Sequence, residues 1–278
     1  MMKSVLKALS IVAAVAVAAA GVRADDHNTI VCEGSTTVLP IAEAFAEYFM
    51  KNNPDVNVTV AGGGSGNGAK AIMNGTADVG DMSRFMKDKE FLACAKMGRT
   101  PVAHVPAYDG IAMVVNKSNS VDALTIEQVR DIYAGDITNW SQVGGPNKDI
   151  VIISRDHNSG TFETFKKLVM AKIKDIDTGA QSLGSNGAVR SAVQSTPGAI
   201  GFVGLGFMEG VKDITVNGVQ ARPETVKSGV YPIARPLFMF TNGYPKMGSP
   251  LFQFVTLHLT EDGQDIIEGL GFVPVTNY

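Results

Sequence analysis

Short apolar runs alternate with amphipathic stretches along most of the chain. Val56, Val58 and Val60 alternate with Asn57 and Thr59, the period-two pattern of a strand with one polar face. Residues 29–33, 111–115, 151–153 and 199–203 are β-branched or apolar runs of strand length, which predicts buried strands. Between such runs the spacing changes. Ala42, Phe45, Ala46 and Phe49 fall at i, i+3, i+4 and i+7, one apolar face of a helix. Pro40 sits in its first turn, where a missing N–H costs nothing, and Asn53-Pro54 ends it. Thr125 and Gln128 form a capping box that opens a helix running to Gly135, and Phe162, Phe165, Leu168 and Val169 predict another over 162–173. Asn217-Gly218 is a hairpin turn signal. Strands alternating with helices predict an α/β chain with mainly parallel sheets.

In such sheets ligands sit beyond the C-terminal ends of strands, where helix N-termini converge. Three strand-to-helix junctions are rich in Ser, Thr and Gly: Ser35-Thr36-Thr37, the glycine loop 61–68 around Ser65, and Ser159-Gly160-Thr161. The first amides of a helix lack internal partners and carry the positive end of its dipole. Hydroxyls add donors, and glycine admits close backbone approach. Arg155 precedes the third junction, and Ser83-Arg84 follows a short strand over 76–80. A guanidinium fork matches phosphate or carboxylate. A capping hydroxyl and a solvated arginine would explain any one junction alone; together they predict one oxyanion site in a cleft between two lobes. The glycine loop is neither a Walker loop, having no Gly-Lys-Ser/Thr, nor a dinucleotide fingerprint. As a mere linker it would be misplaced, because it lies between a strand and a helix.

Composition narrows this. The 278 residues suffice for one large or two modest domains. Lys3 and Lys7 flank an apolar run to about Ala20, followed by Val22-Arg23-Ala24, which predicts a signal peptide over 1–24, cleaved near Ala24, and a periplasmic destination. Its loss removes Lys3, Lys7 and Arg23 and no acid, taking the formal charge from −3 to −6. That argues against nucleic acid, which needs a basic patch, and means local donors must hold any anion. The four histidines, His27, His104, His157 and His258, have no metal-ligand spacing, so neither a metal nor another cofactor is expected. Export permits a Cys32–Cys94 disulfide, but a buried thiol at Cys32 fits equally well.

With these positions in place, the chain resembles the periplasmic phosphate-binding proteins of ABC-type phosphate importers. The resemblance covers nearly all of the mature chain. It rests on Gly34-Ser-Thr-Thr-Val38, Gly63-Gly-Ser-Gly-x-Gly68, Gly75-Thr-Ala-Asp-Val-Gly80, Ser83-Arg84, Ile132-Tyr-Ala-Gly135 with Thr138-Asn-Trp140, Arg155 with Ser159-Gly-Thr161, and Gly271-Phe-Val-Pro274. It implies a two-lobed type II periplasmic-binding fold with a double-crossover hinge: lobe I over 25–107 plus 234–278, lobe II over 108–233, and a hinge near 107–110 and 231–236. It further implies a monomeric substrate-binding protein, not an enzyme, that delivers inorganic phosphate to the membrane permease subunits of an importer. Carried over, the phosphate ligands are Thr36, Thr37, Ser65, Ser83, Arg84, Arg155, Ser159, Gly160 and Thr161. Some members accept the phosphate proton on an Asp after the third strand; here Ser83-Arg84 stands there. Asp81 becomes the first candidate acceptor and Asp109 the second, with Asp78 supporting a strand end. Alternatives are a receptor for sulfate, molybdate or tungstate, and a secreted phosphate-ester hydrolase with Ser159 as nucleophile and His157 nearby.

Overall fold

In the computed structural model, which describes residues 28–276, the alternating runs become the elements their spacing implies. The chain opens with β1 (Thr29–Gly34), α1 (Leu39–Asn52), β2 (Asn57–Gly62), α2 (Ser65–Asn74), β3 (Val79–Met82), α3 (Asp88–Lys96) and β4 (Pro101–His104). It crosses over in β5 (Ala107–Val115) and continues through β6 (Ala123–Leu124), α4 (Ile126–Tyr133), β7 (Val151–Arg155), α5 (Gly160–Phe165), β8 (Gln181–Leu183), α6 (Asn186–Ser195), β9 (Ala199–Gly204), β10 (Lys212–Val216) and α7 (Pro223–Lys227). It returns through β11 (Ala234–Pro236) and β12 (Phe238–Asn242) and ends with α8 (Pro250–Thr256), α9 (Glu261–Gly269) and β13 (Val273–Pro274). The predicted signal peptide lies outside the described residues.

Two sheets result, one ordered β2-β1-β3-β12-β4 and one ordered β6-β10-β5-β9-β7-β8, with β11 and β13 also paired to β5. Parallel pairing holds for β1 with β2 and β3, for β7 with β8 and β9, and for β6 with β10. The rest is antiparallel, so each sheet is mixed where the alternating pattern predicted mainly parallel pairing. In the first sheet the reason is the return crossing. Strand β12 reaches the first sheet straight from β11, with no helix before it, and slots between β3 and β4 in the opposite sense. The two crossing strands pair with each other: Ala234 lies opposite Gly110, Arg235 opposite Asp109 and Pro236 opposite Tyr108.

Each sheet end is held by its own packed layer. Against the first sheet α1 lays Phe45 and Phe49 edge-on to Phe254 of α8. In the second, Phe165 at the end of α5 stacks on Phe202 of β9 at 4.2 Å and tilts against Tyr133 of α4. Each fully buried aromatic contributes about 1.5–3 kcal/mol, so the start of α5 is anchored by its own C-terminal residue. The helix predicted over 162–173 is shorter: it widens into one π turn over Lys166–Met170 and stops where Ala171 and Lys172 adopt positive φ. The Thr125–Gln128 capping box and the turn at Asn217 (φ 51°) and Gly218 (φ 76°) are as predicted. Cys32 and Cys94 are both buried and free, in separate apolar clusters, so the thiol reading replaces the disulfide.

Candidate functional site

The predicted hydroxyls arrive from separate strand ends and are all buried. Thr36 and Thr37 follow β1, Ser65 opens α2, Ser83 follows β3, and Ser159, Gly160 and Thr161 form the start of α5. Arg155 is the last residue of β7 and is 2% exposed. They converge. Arg155 Nη2 donates to Thr36 Oγ1 (3.1 Å) and to the Gly184 carbonyl (3.0 Å), and Nε donates to the Leu183 carbonyl (3.1 Å). Its other terminal nitrogen, Nη1, is buried and has no hydrogen-bond partner. Thr37 Oγ1 lies 3.0 Å from Thr161 Oγ1. Ser65 Oγ accepts from the Ser83 N–H (2.9 Å) and lies 3.4 Å from Ser83 Oγ. The Arg155–Thr36 and Thr37–Thr161 contacts run between the elements of the two sheets, as does the Gly66 N–H to Asn158 carbonyl bond (3.0 Å), so the cleft is closed.

Gly160 is where the two sides come closest. A Cβ there would collide with Ser65 Oγ and lie 2.7 Å from Ser83 Oγ. Only a hydrogen fits, and the conflict arises on closure alone, since both serines belong to the opposite side. Gly160→Ala is therefore expected to leave the melting temperature of the free protein within a few degrees and to weaken ligand binding roughly tenfold or more, by penalising closure. Calorimetric titration checks this; unchanged affinity would mean that close approach at Gly160 is not required for capture.

Two residues outside the predicted set sit among these hydroxyls. Asn186, the first residue of α6 and fully buried, donates from Nδ2 to Thr37 Oγ1 (2.9 Å) and Thr36 Oγ1 (3.3 Å). Arg235 of β11 donates from Nη2 to Thr161 Oγ1 (2.9 Å) and Thr37 Oγ1 (3.4 Å), and from Nη1 to the Ser83 carbonyl (2.9 Å). Arg235 lies in the segment the sequence reading gave to the hinge, and Asn186 lies at a helix start that Ser185-Asn-Gly187 opens. The signal for Asn186 was there: it is a further polar residue at a strand-to-helix junction.

Arg84 is engaged at two of its three nitrogens. Its guanidinium forks onto Glu90, Nη1 to Oε2 and Nη2 to Oε1 at 2.8 Å each, which ties it to α3, while Nε is buried without a partner. Glu90 also caps α3 through the Lys87 N–H, a local competitor the spacing of hydroxyl and guanidinium did not reveal. Asp109 is committed: Arg235 donates to its Oδ2 from Nη2 (2.9 Å) and Nε (3.2 Å), and the Leu205 N–H donates to its Oδ1 (2.9 Å). Asp78 does support a strand end, accepting from the Val31 N–H at 2.8 Å. Asp81 is 1% exposed, its Oδ1 has no partner, and burial pushes its carboxyl well above the ordinary range. Burial lowers the Arg155 guanidinium to about 10, which still leaves it charged at neutral pH. Ser159 Oγ accepts from the Phe162 N–H (3.2 Å) as the cap of α5, and the His157 ring packs edge-on against Phe162. Among the described residues no side-chain base is hydrogen-bonded to Ser159, and none of their His, Cys, Asp and Glu groups could hold a metal.

A family profile described as the PBP superfamily domain matches residues 21–256. Protein SphX of Synechococcus elongatus is 32% identical over 262 residues, spanning 88% of this chain and 77% of that protein. Phosphate-binding protein PstS of Borreliella burgdorferi is 31% identical over 262 residues, spanning 90% and 91%. Among solved structures, a candidate phosphate ABC transporter substrate-binding protein of Clostridium perfringens, determined with bound phosphate, superposes with a TM-score of 0.83 at 34% identity, covering 90% of this chain and all of that one.

Proposed function

Because the chain belongs to the phosphate-binding proteins of the PBP superfamily, we propose that it captures inorganic phosphate outside the cytoplasm and delivers it to an ABC importer. Binding, not chemistry, is the task. The observation that carries the reading is Arg155 Nη1, a charged donor buried without a partner on a guanidinium whose Nη2 bonds Thr36. A donor left bare in a protein interior costs free energy unless a ligand fills it. Charge-assisted bonds of about 1.5–3 kcal/mol each, five or six in number, would exceed the ~8 kcal/mol of micromolar binding and leave a surplus to offset closure.

On this reading lobe I is 25–107 with 234–278, lobe II is 108–233, and the paired strands β5 and β11 form the hinge. The signal peptide over 1–24 delivers a monomer to the periplasm, where permease subunits read the closed form. Titration with phosphate, then with sulfate, molybdate and tungstate, tests the reading. No phosphate binding, or preference for another anion, would overturn it.

Asp81 is the proposed acceptor for the ligand's proton, on the strength of its buried, unpartnered oxygen two residues before Ser83 in the chain. Asp81→Asn is expected to narrow the ratio of phosphate to sulfate affinity; an unaltered ratio would move the acceptor elsewhere. The same variant has a stability signature. Above the ordinary carboxyl value of 3.8 the unfolded chain releases this proton while the folded chain retains it, so the native state loses stability as pH rises from there towards the raised value. Asn removes that loss. The variant should therefore melt higher than the parent at neutral pH, with the gain fading below about pH 4.

A further inference from the structure

The hydroxyl hydrogen of Thr36 is fixed by what surrounds it. A threonine oxygen has two acceptor positions and one hydrogen. Thr36 Oγ1 receives Arg155 Nη2 (3.1 Å) and Asn186 Nδ2 (3.3 Å), so both acceptor positions are filled and its hydrogen must point to a third group. Thr37 Oγ1 receives Asn186 Nδ2 (2.9 Å), and Thr161 Oγ1 receives one of the two hydrogens of Arg235 Nη2 (2.9 Å), the other going to Asp109 Oδ2 (2.9 Å). Each of these two threonines keeps one acceptor position, so either can donate in their 3.0 Å contact. The Asn186 amide cannot turn over to supply an acceptor instead, because its Oδ1 accepts the Gly204 N–H (3.2 Å).

We infer that Asn186, together with Arg155, is a positioning residue that forces Thr36 to act as a donor, so that this corner of the site takes only a deprotonated oxygen of a tetrahedral oxyanion. The inference rests on the oxyanion-binding reading above and deepens it. Any proton the ligand keeps is turned away from Thr36. Phosphate is thereby restricted in orientation, and sulfate, with no proton, uses Thr36 equally well.

Two variants read this out. Thr36→Val removes the hydroxyl with little change of shape. A donor is lost to both anions alike, so affinity for phosphate and for sulfate should fall together, each by roughly tenfold. If Thr36 instead accepted the ligand's O–H, phosphate alone would weaken, and that result overturns the inference while leaving phosphate capture intact. Asn186→Asp replaces the donor facing Thr36 and Thr37 by an acceptor. Both hydroxyls should turn toward it, leaving a site that favours the more protonated ligand. Phosphate affinity should then improve as pH falls through the phosphate ionisation near neutrality, the reverse of the parent, and sulfate affinity should fall at least ten times further than phosphate affinity. Equal losses for both anions with an unshifted pH profile would overturn the assignment of Asn186. Should that variant fail to fold, the Thr36→Val comparison decides alone. Absence of phosphate binding by the parent protein is a separate outcome and falls on the capture reading itself.

Discussion

Arg155→Ala is expected to weaken phosphate binding about a hundredfold while the protein stays folded. The guanidinium does two jobs on the closed cleft. Nη1 has no protein partner, so its charge-assisted bond is free for the ligand, and that alone carries roughly 1.5–3 kcal/mol. Nη2 bridges to Thr36 on the other side, filling one acceptor position of the hydroxyl that faces the ligand. Alanine removes both. The cost to the fold is smaller, because Arg155 ends its strand and the carbonyls it serves belong to Leu183, the last residue of β8, and Gly184 just after it, within reach of water once the side chain is gone. Arg155→Lys should fall between: the charge remains, but a single ammonium cannot reproduce the fork. Calorimetric titration of both variants beside their melting curves separates the effects. Affinity unchanged in the alanine variant would sink the oxyanion site.

Much of this architecture was legible in the residues, and the failures have physical causes. Period-two and helical spacings located β2, α1 and α4 because each buries one face against a single layer. Clusters of Ser, Thr and Gly at strand ends pointed to Thr36, Thr37, Ser65, Ser159 and Thr161, since a helix start exposes amides whatever surrounds it. Sheet sense was less legible. Nothing local in residues 238–242 says that β12 enters between β3 and β4 from the other side; the connection decides it. The Glu90 partner of Arg84 was missed for a related reason. Ser83 with Arg84 repeated the pairing of hydroxyl and guanidinium at Ser159 and Arg155, but Glu90, six residues on, takes two of the Arg84 nitrogens, and a one-dimensional pattern cannot weigh that competition. Arg235 was passed over because it lies in an apolar extended run, where a charge reads as an edge residue. Its neighbour across the sheet, Asp109, becomes adjacent only when β11 pairs with β5.

That pairing carries the second large effect. Asp109 is fully buried and Arg235 is 5% exposed, and their oxygen and nitrogen are 2.9 Å apart where β5 and β11 pair. Replacing Asp109 by Ala would leave a guanidinium in the interior with no counter-charge, a loss of about 3–5 kcal/mol. Replacing both, as Asp109→Leu with Arg235→Met, removes charge and counter-charge together and should return the stability to within about 1–2 kcal/mol of the parent. Urea denaturation of the single and double variants gives the comparison; a single variant within about 1 kcal/mol of the parent would mean the pair is not the buried unit its geometry indicates. Binding should follow a different order. The double variant still lacks the donor that holds Thr161, Thr37 and the Ser83 carbonyl, so its phosphate affinity should remain low although its stability recovers. Stability restored without capture would distinguish a hinge pair needed for closure on the anion from one needed only to keep the chain folded.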